Sequence, residues 1–203
     1  MRRRGRVARV AITAFAAITA LGGCSDDEAG PTEATEATDA GSTDAGSAVP
    51  VSTAPGADAC APVDPVLLVD RIDEAVAAVE AELGGPQQYF EINATATLVN
   101  LFVADVAAES VTPYAYVGDE LSSDEPIVGA TGNTFAADAV AVDTSRVLGC
   151  VSAELPDTAL DVFFVEGGAG GTVRYTVLGT SAQGGQLVVE VAATGQIIGV
   201  DAI

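Results

Sequence analysis

Apolar and polar positions follow two different periods along the second two-thirds of the chain. Leu68, Ile72, Val76, Val79 and Leu83 fall at spacings of four, four, three and four, which is one apolar stripe on a helix. Asp70, Asp73, Glu74, Glu80 and Glu82 lie mostly off that stripe. Asp64-Pro65 offers an N-cap acid followed by proline at the first helical position. Gly84-Gly85-Pro86 supplies the stop. The spacing predicts a helix over 65–83. After it the period shortens to two. Residues 89–93, 97–104 and 112–117 read as strands, the first alternating Phe90 and Ile92 against Glu91 and Asn93, and Gly118-Asp119 marks a turn. Residues 121–132 hold Ser, Asp, Pro and Gly and read as a connector.

The same order then returns. Asp143-Thr144 caps a predicted helix over about 145–155, with Val147, Val151 and Leu155 at spacing four. Strands are predicted over 160–166, 172–180, 187–192 and 196–200, separated by glycine turns. Leu98–Val103 occupies the place in the first half that Val173–Val177 occupies in the second. The expected fold class is therefore α+β: two helix-plus-antiparallel-meander units, α-β-β-β used twice, at about 64–120 and 133–203. They pack as one domain over 60–203, with helices on one face.

The first 59 residues follow neither period. Arg2, Arg3, Arg4, Arg6 and Arg9 precede Val10–Leu21, a run without charge. A basic start, a short apolar run and then small residues form the layout of a secretory signal. The run is shorter than the ~20 residues that span a hydrocarbon core. It ends Leu21-Gly22-Gly23-Cys24, which resembles the lipobox of bacterial lipoproteins. That resemblance implies cleavage of 1–23, a diacylglyceryl group (and a further acyl chain such as palmitate) on Cys24, and residence at the extracytoplasmic face of the cell membrane. Two or three acyl chains give stable anchoring where one does not. Residues 24–59 then repeat Thr-Glu-Ala and Thr-Asp-Ala-Gly-Ser, with acids, no base and no aromatic residue. Such a segment buries too little apolar surface to offset its ordering entropy and reads as a disordered tether. Its reach is roughly 30–35 Å.

Charge narrows the partners. With the leader gone, Arg71, Arg146 and Arg174 face all 29 acids, and the chain has no histidine and no lysine. Nucleic acid is excluded as a partner, because its binding needs Lys or Arg to displace counterions. A basic partner would be attracted. The abundance of Ala, Gly, Val and Asp without Lys resembles a high-GC bacterial composition, such as that of an actinobacterium. Cys60 and Cys150 remain once Cys24 is assigned, and two cysteines in an exported chain suggest one disulfide.

Candidate chemistry is sparse. The usual bases of nucleophilic hydrolysis are missing with histidine and lysine. The 167–171 glycine run lacks the strand-to-helix context and lysine of a phosphate loop. Asp119-Glu120 and Asp124-Glu125 are the paired carboxylates left to consider, for Ca²⁺ or sugar chemistry, and charge runs of this kind are usually solvated loop residues. Tyr114 and Tyr116 read as strand packing rather than a ligand cage. No catalytic residue, cofactor or metal is expected. Tandem α-β-β-β units are similar to PepSY-like envelope modules, a resemblance resting on element order and hydrophobic pattern over 65–203. It implies a non-enzymatic module that binds an envelope protein or peptide. The alternative is a carrier of a lipid or small apolar ligand in a cavity between sheet and helices.

Overall fold

A computed structural model describes residues 60, 61 and 66–203. The leader, Cys24, the tether and the Asp64-Pro65 helix start lie outside the described residues. The first helix, α1 (Ile72–Leu83), follows a 3-10 turn at Val69–Arg71. It stops where the stripe predicted. Gly84 turns left-handed at φ 81°, and the N–H groups of both Gly84 and Gly85 donate to the Glu80 carbonyl. The 3-10 turn shifts the phase of the stripe. Leu67, Val69, Ile72, Ala75 and Val79 are buried, while Leu83 is exposed.

Six strands follow: β1 (Gln88–Ala94), β2 (Val99–Asp105), β3 (Ser110–Val117), β4 (Glu120–Ser123), β5 (Ile127–Val128) and β6 (Phe135–Ala136). Next come α2 (Thr144–Glu154), β7 (Thr158–Gly167), β8 (Val173–Ser181), β9 (Gln186–Val191) and β10 (Ile197–Ala202). All ten strands form one antiparallel sheet, with central order β10-β9-β8-β7-β1-β2-β3-β4. The domain is thus a mixed α+β fold with few helices. The predicted N-cap of α2 is present: the Asp143 carboxylate accepts from the Arg146 N–H at 3.1 Å and from the Ser145 hydroxyl at 2.9 Å. These bonds hold the Asp143 carboxyl below its ordinary range.

Three sequence expectations need correction. The helix predicted over 65–83 begins only at Ile72, because residues 66–68 bend and Val69–Arg71 form a 3-10 turn. The stretch 121–132, read as a connector, carries most of β4 and all of β5. Leu121 pairs with Tyr116 and packs against the core. Its Ser, Asp and Pro neighbours are poor strand formers and hid that pairing. In β1 the alternation of Phe90 with Ile92 fails, because the register slips between Tyr89 and Glu91. This β-bulge puts Tyr89, rather than Phe90, in step with Ile92 on the core face.

The core lies on one face of the sheet. Ile92 and Ala94 of β1 pair with Leu101 and Val99 of β2, and with Val165 and Phe163 of β7. The row continues through Tyr175 and Val177 of β8 to Val191 and Val189 of β9. These side chains join Ile72, Ala75 and Val79 of α1 and Val147, Leu148 and Val151 of α2 in one buried cluster. Each large apolar side chain buried there stabilises by about 1.5–3 kcal/mol. Both helices therefore cover the same face.

Cys60 bonds Cys150 of α2, with Cα atoms 4.8 Å apart and a sequence separation of 90. The β9–β10 turn closes over this bond. Gly195 has φ 90°, and a Cβ there would sit 2.7 Å from the Cys150 sulfur. Two independent demands thus select glycine at that position. Among the described residues, no helix is long and apolar enough to cross a membrane.

Candidate functional site

The face away from the helices carries a polar ladder across four central strands. Glu91 and Asn93 of β1 stand two residues apart and so share a face. Their cross-strand partners are Phe102 and Asn100 on β2, and Glu166 and Phe164 on β7. One strand further, Arg174 and Thr176 of β8 pair with Glu166 and Phe164. The side chains are linked in sequence. Asn100 Nδ2 donates to Asn93 Oδ1 at 2.8 Å, and Asn93 Nδ2 donates to Glu91 Oε1 at 2.6 Å. On the other side of the β1–β7 seam, Thr176 Oγ1 donates to Glu166 Oε2 at 3.1 Å, and Arg174 lies 3.8 Å from Glu166 Oε1.

This face is not plain solvent. Asn93 is buried, and Glu91, Asn100, Phe102, Phe164, Glu166 and Thr176 are half-buried. Burial pushes the Glu91 carboxyl above its ordinary range; the Asn93 hydrogen bond opposes this, and the neighbouring Glu166 charge adds to it. The folded domain therefore holds a proton on Glu91 more tightly than the unfolded chain does. That contribution to stability is fully present below the ordinary carboxylate range. It is lost as pH rises through the raised value. Glu91 and Glu166 stand directly opposite each other on adjacent strands, an arrangement in which like charges destabilise a sheet.

The loop acids do something else. Asp119 accepts from Arg71 Nη2 at 2.7 Å. The same guanidinium meets Glu74 at 2.6 Å, donates to the Gly118 carbonyl at 3.0 Å, and lies 5.5 Å over the Tyr116 ring. Asp119 and the Tyr116 hydroxyl raise the Arg71 pKa further above its ordinary value. This cluster ties the start of α1 to the β3–β4 turn. Glu120 opens β4, and the Asp124 N–H donates to the Pro113 carbonyl. Asp119-Glu120 and Asp124-Glu125 are not gathered into one group. Among the described residues, no set of three or more His, Cys, Asp or Glu is placed to hold a metal ion. Tyr114 and Tyr116 are buried on the helix-covered face, as strand packing required.

A surface groove of about 390 Å³ runs beside the C-terminal end of α1, lined by Leu83, Gln87, Gln88, Val103, Asp105 and Thr112 among others. Its mixture of amides, a carboxylate and aliphatic groups differs from the apolar cavity that a lipid carrier calls for.

The ladder was missed by sequence reasoning. Glu91 and Asn93 appear in sequence only as the polar face of a strand. What makes them a site is their neighbour β7, some 70 residues on, and no local pattern specifies that pairing. Comparison of the chain with protein-family models, curated proteins and solved structures found no match.

Proposed function

We propose that the protein is a non-enzymatic binding module, held at the extracytoplasmic face of the cell membrane by acyl chains on Cys24. It engages an envelope protein or peptide through the helix-free face of its sheet. One observation carries this reading: two half-buried sets of hydrogen-bonded polar side chains, one on each side of the β1–β7 seam, share the middle of that face with two phenylalanines. A sheet face that only met solvent has no need of buried asparagine or of paired glutamates. Exposed polar and aromatic residues on a rigid scaffold are the usual material of recognition.

Three further features support it. The two halves read as repeated units, each a helix followed by a four-stranded meander, with β1 and β7 meeting at the centre. That reading accords with the resemblance to PepSY-like modules and adds β4 to the first unit, a fourth strand in the second being already expected from its glycine turns. The disulfide joins Cys60 to α2, on the helix-covered side. Cys60, where the described residues begin, therefore lies on the side away from the ladder. The acidic chain also suits a partner of opposite charge.

The test is native mass spectrometry of the lipidated protein extracted gently from its own envelope. A discrete second protein mass is expected. A bare protein in every spectrum contradicts the module, and a small apolar adduct that persists favours the carrier.

A further inference from the structure

The charge pattern of the ladder face says what kind of partner fits it. Glu91 and Glu166 project from directly paired positions on β1 and β7, so their Cβ atoms lie about 5 Å apart. The groups facing Glu91 are Asn93 on its own strand, Phe102 on β2 and Glu166 on β7. None of these is a cation. Arg174 stands on the far side of Glu166, is more than half exposed, and reaches only 3.8 Å from it. Glu190 extends the same face on β9, opposite Thr176. The acids at the centre of the face therefore outnumber its basic side chains, and the chain has no lysine to add.

We propose that this face takes a basic segment of the partner, with an arginine or lysine side chain seated between Glu91 and Glu166 and its stem against Phe102 and Phe164. The proposal rests on the binding-module reading and names its partner class. A guanidinium or ammonium there completes a charge pattern that the fold leaves open. Its N–H groups donate to two carboxylates at once, and charge-assisted bonds of this kind are stronger than neutral ones. The two rings supply apolar and cation–π contact for the stem and head of that side chain. Partial burial of the carboxylates reduces screening by salt, so the contact persists where diffuse surface attraction fades.

The probe is a fluorescent twelve-residue peptide alternating arginine and valine, with a second peptide carrying neutral citrulline for arginine. Both are titrated against the full mature protein at roughly 0.15 M salt, where the Debye length is about 8 Å. The arginine peptide is expected to bind at least tenfold more tightly than the citrulline peptide. Glu91→Gln with Glu166→Gln is expected to weaken it at least tenfold. Asp73→Asn with Glu82→Gln, on the exposed side of α1, is expected to change it less than about twofold. Equal loss from both pairs of substitutions overturns the proposal, because it indicates diffuse attraction. So does equal binding of the two peptides, or no binding of the arginine peptide. If native spectra still carry a partner in those cases, the module reading stands and only the basic-segment inference fails.

A second measurement separates recognition from folding. Glu91→Gln is expected to raise the thermal midpoint by more at pH 7 than at pH 3, because burial beside Glu166 disfavours the charged form of Glu91. A fall at pH 7 means that the ladder needs this charge in order to fold, and overturns the reading of an open charge pattern.

Discussion

Replacing Cys60 and Cys150 together by alanine is expected to lower folding stability by about 2–5 kcal/mol. The bond closes a loop of 90 residues, and chain entropy alone gives about 4–5 kcal/mol for a loop of that size. The sulfurs are also buried, with Cys150 1 % and Cys60 8 % exposed, so alanine loses packing as well as the cross-link. Urea denaturation of the two proteins, with and without reductant, checks it. Reductant is expected to bring the native protein close to the double variant and to leave the variant unchanged. Equal stability of the two oxidised proteins would mean that the bond constrains nothing in the unfolded chain.

Phe163→Ala is expected to cost about 3–5 kcal/mol, the range for deleting a fully buried aromatic ring. Phe163 is 0 % exposed, lies across from Ala94 on β1 and Val177 on β8, and stacks on Tyr175 with ring centres 6.2 Å apart. It sits at the seam where the two halves of the sheet meet, so the cavity opens where the core is continuous. Its neighbour Phe164 points to the opposite face and is only half-buried. Phe164→Ala is expected to cost less than about 1 kcal/mol. Denaturant midpoints for the two variants thus test the assignment of faces. The reverse order would put the core on the wrong side of the sheet.

Those two neighbours show what was legible in the chain and what was not. Both helices were readable, because a stripe at spacing four and a terminal Gly-Gly-Pro or Asp-Thr cap are local signals. The later strands were readable for the same reason: glycine turns and alternation are written within ten residues. The bulge at Phe90 was not, because a register slip is decided by the partner strand. Strand β4 was hidden by serine and aspartate, whose weak strand preference was overridden by the pairing of Leu121 with Tyr116. The cysteine pairing was expected from the number of cysteines in a chain read as exported, without geometry. The ladder was unreadable in principle from local pattern. Glu91, Phe102, Glu166 and Thr176 become neighbours only when β1 pairs with both β2 and β7. Of the acids that did stand out in sequence, Asp119 belongs to a cluster that fixes α1 to a turn.

The central claim is that recognition occurs on the helix-free face. The most direct measurement is photo-cross-linking in living cells, with the reactive side chain placed at Phe164 on that face or at Ala77 on the exposed side of α1. The account predicts a discrete protein adduct from position 164 and none from position 77. An adduct from position 77 alone, or the same diffuse adducts from both, would contradict it.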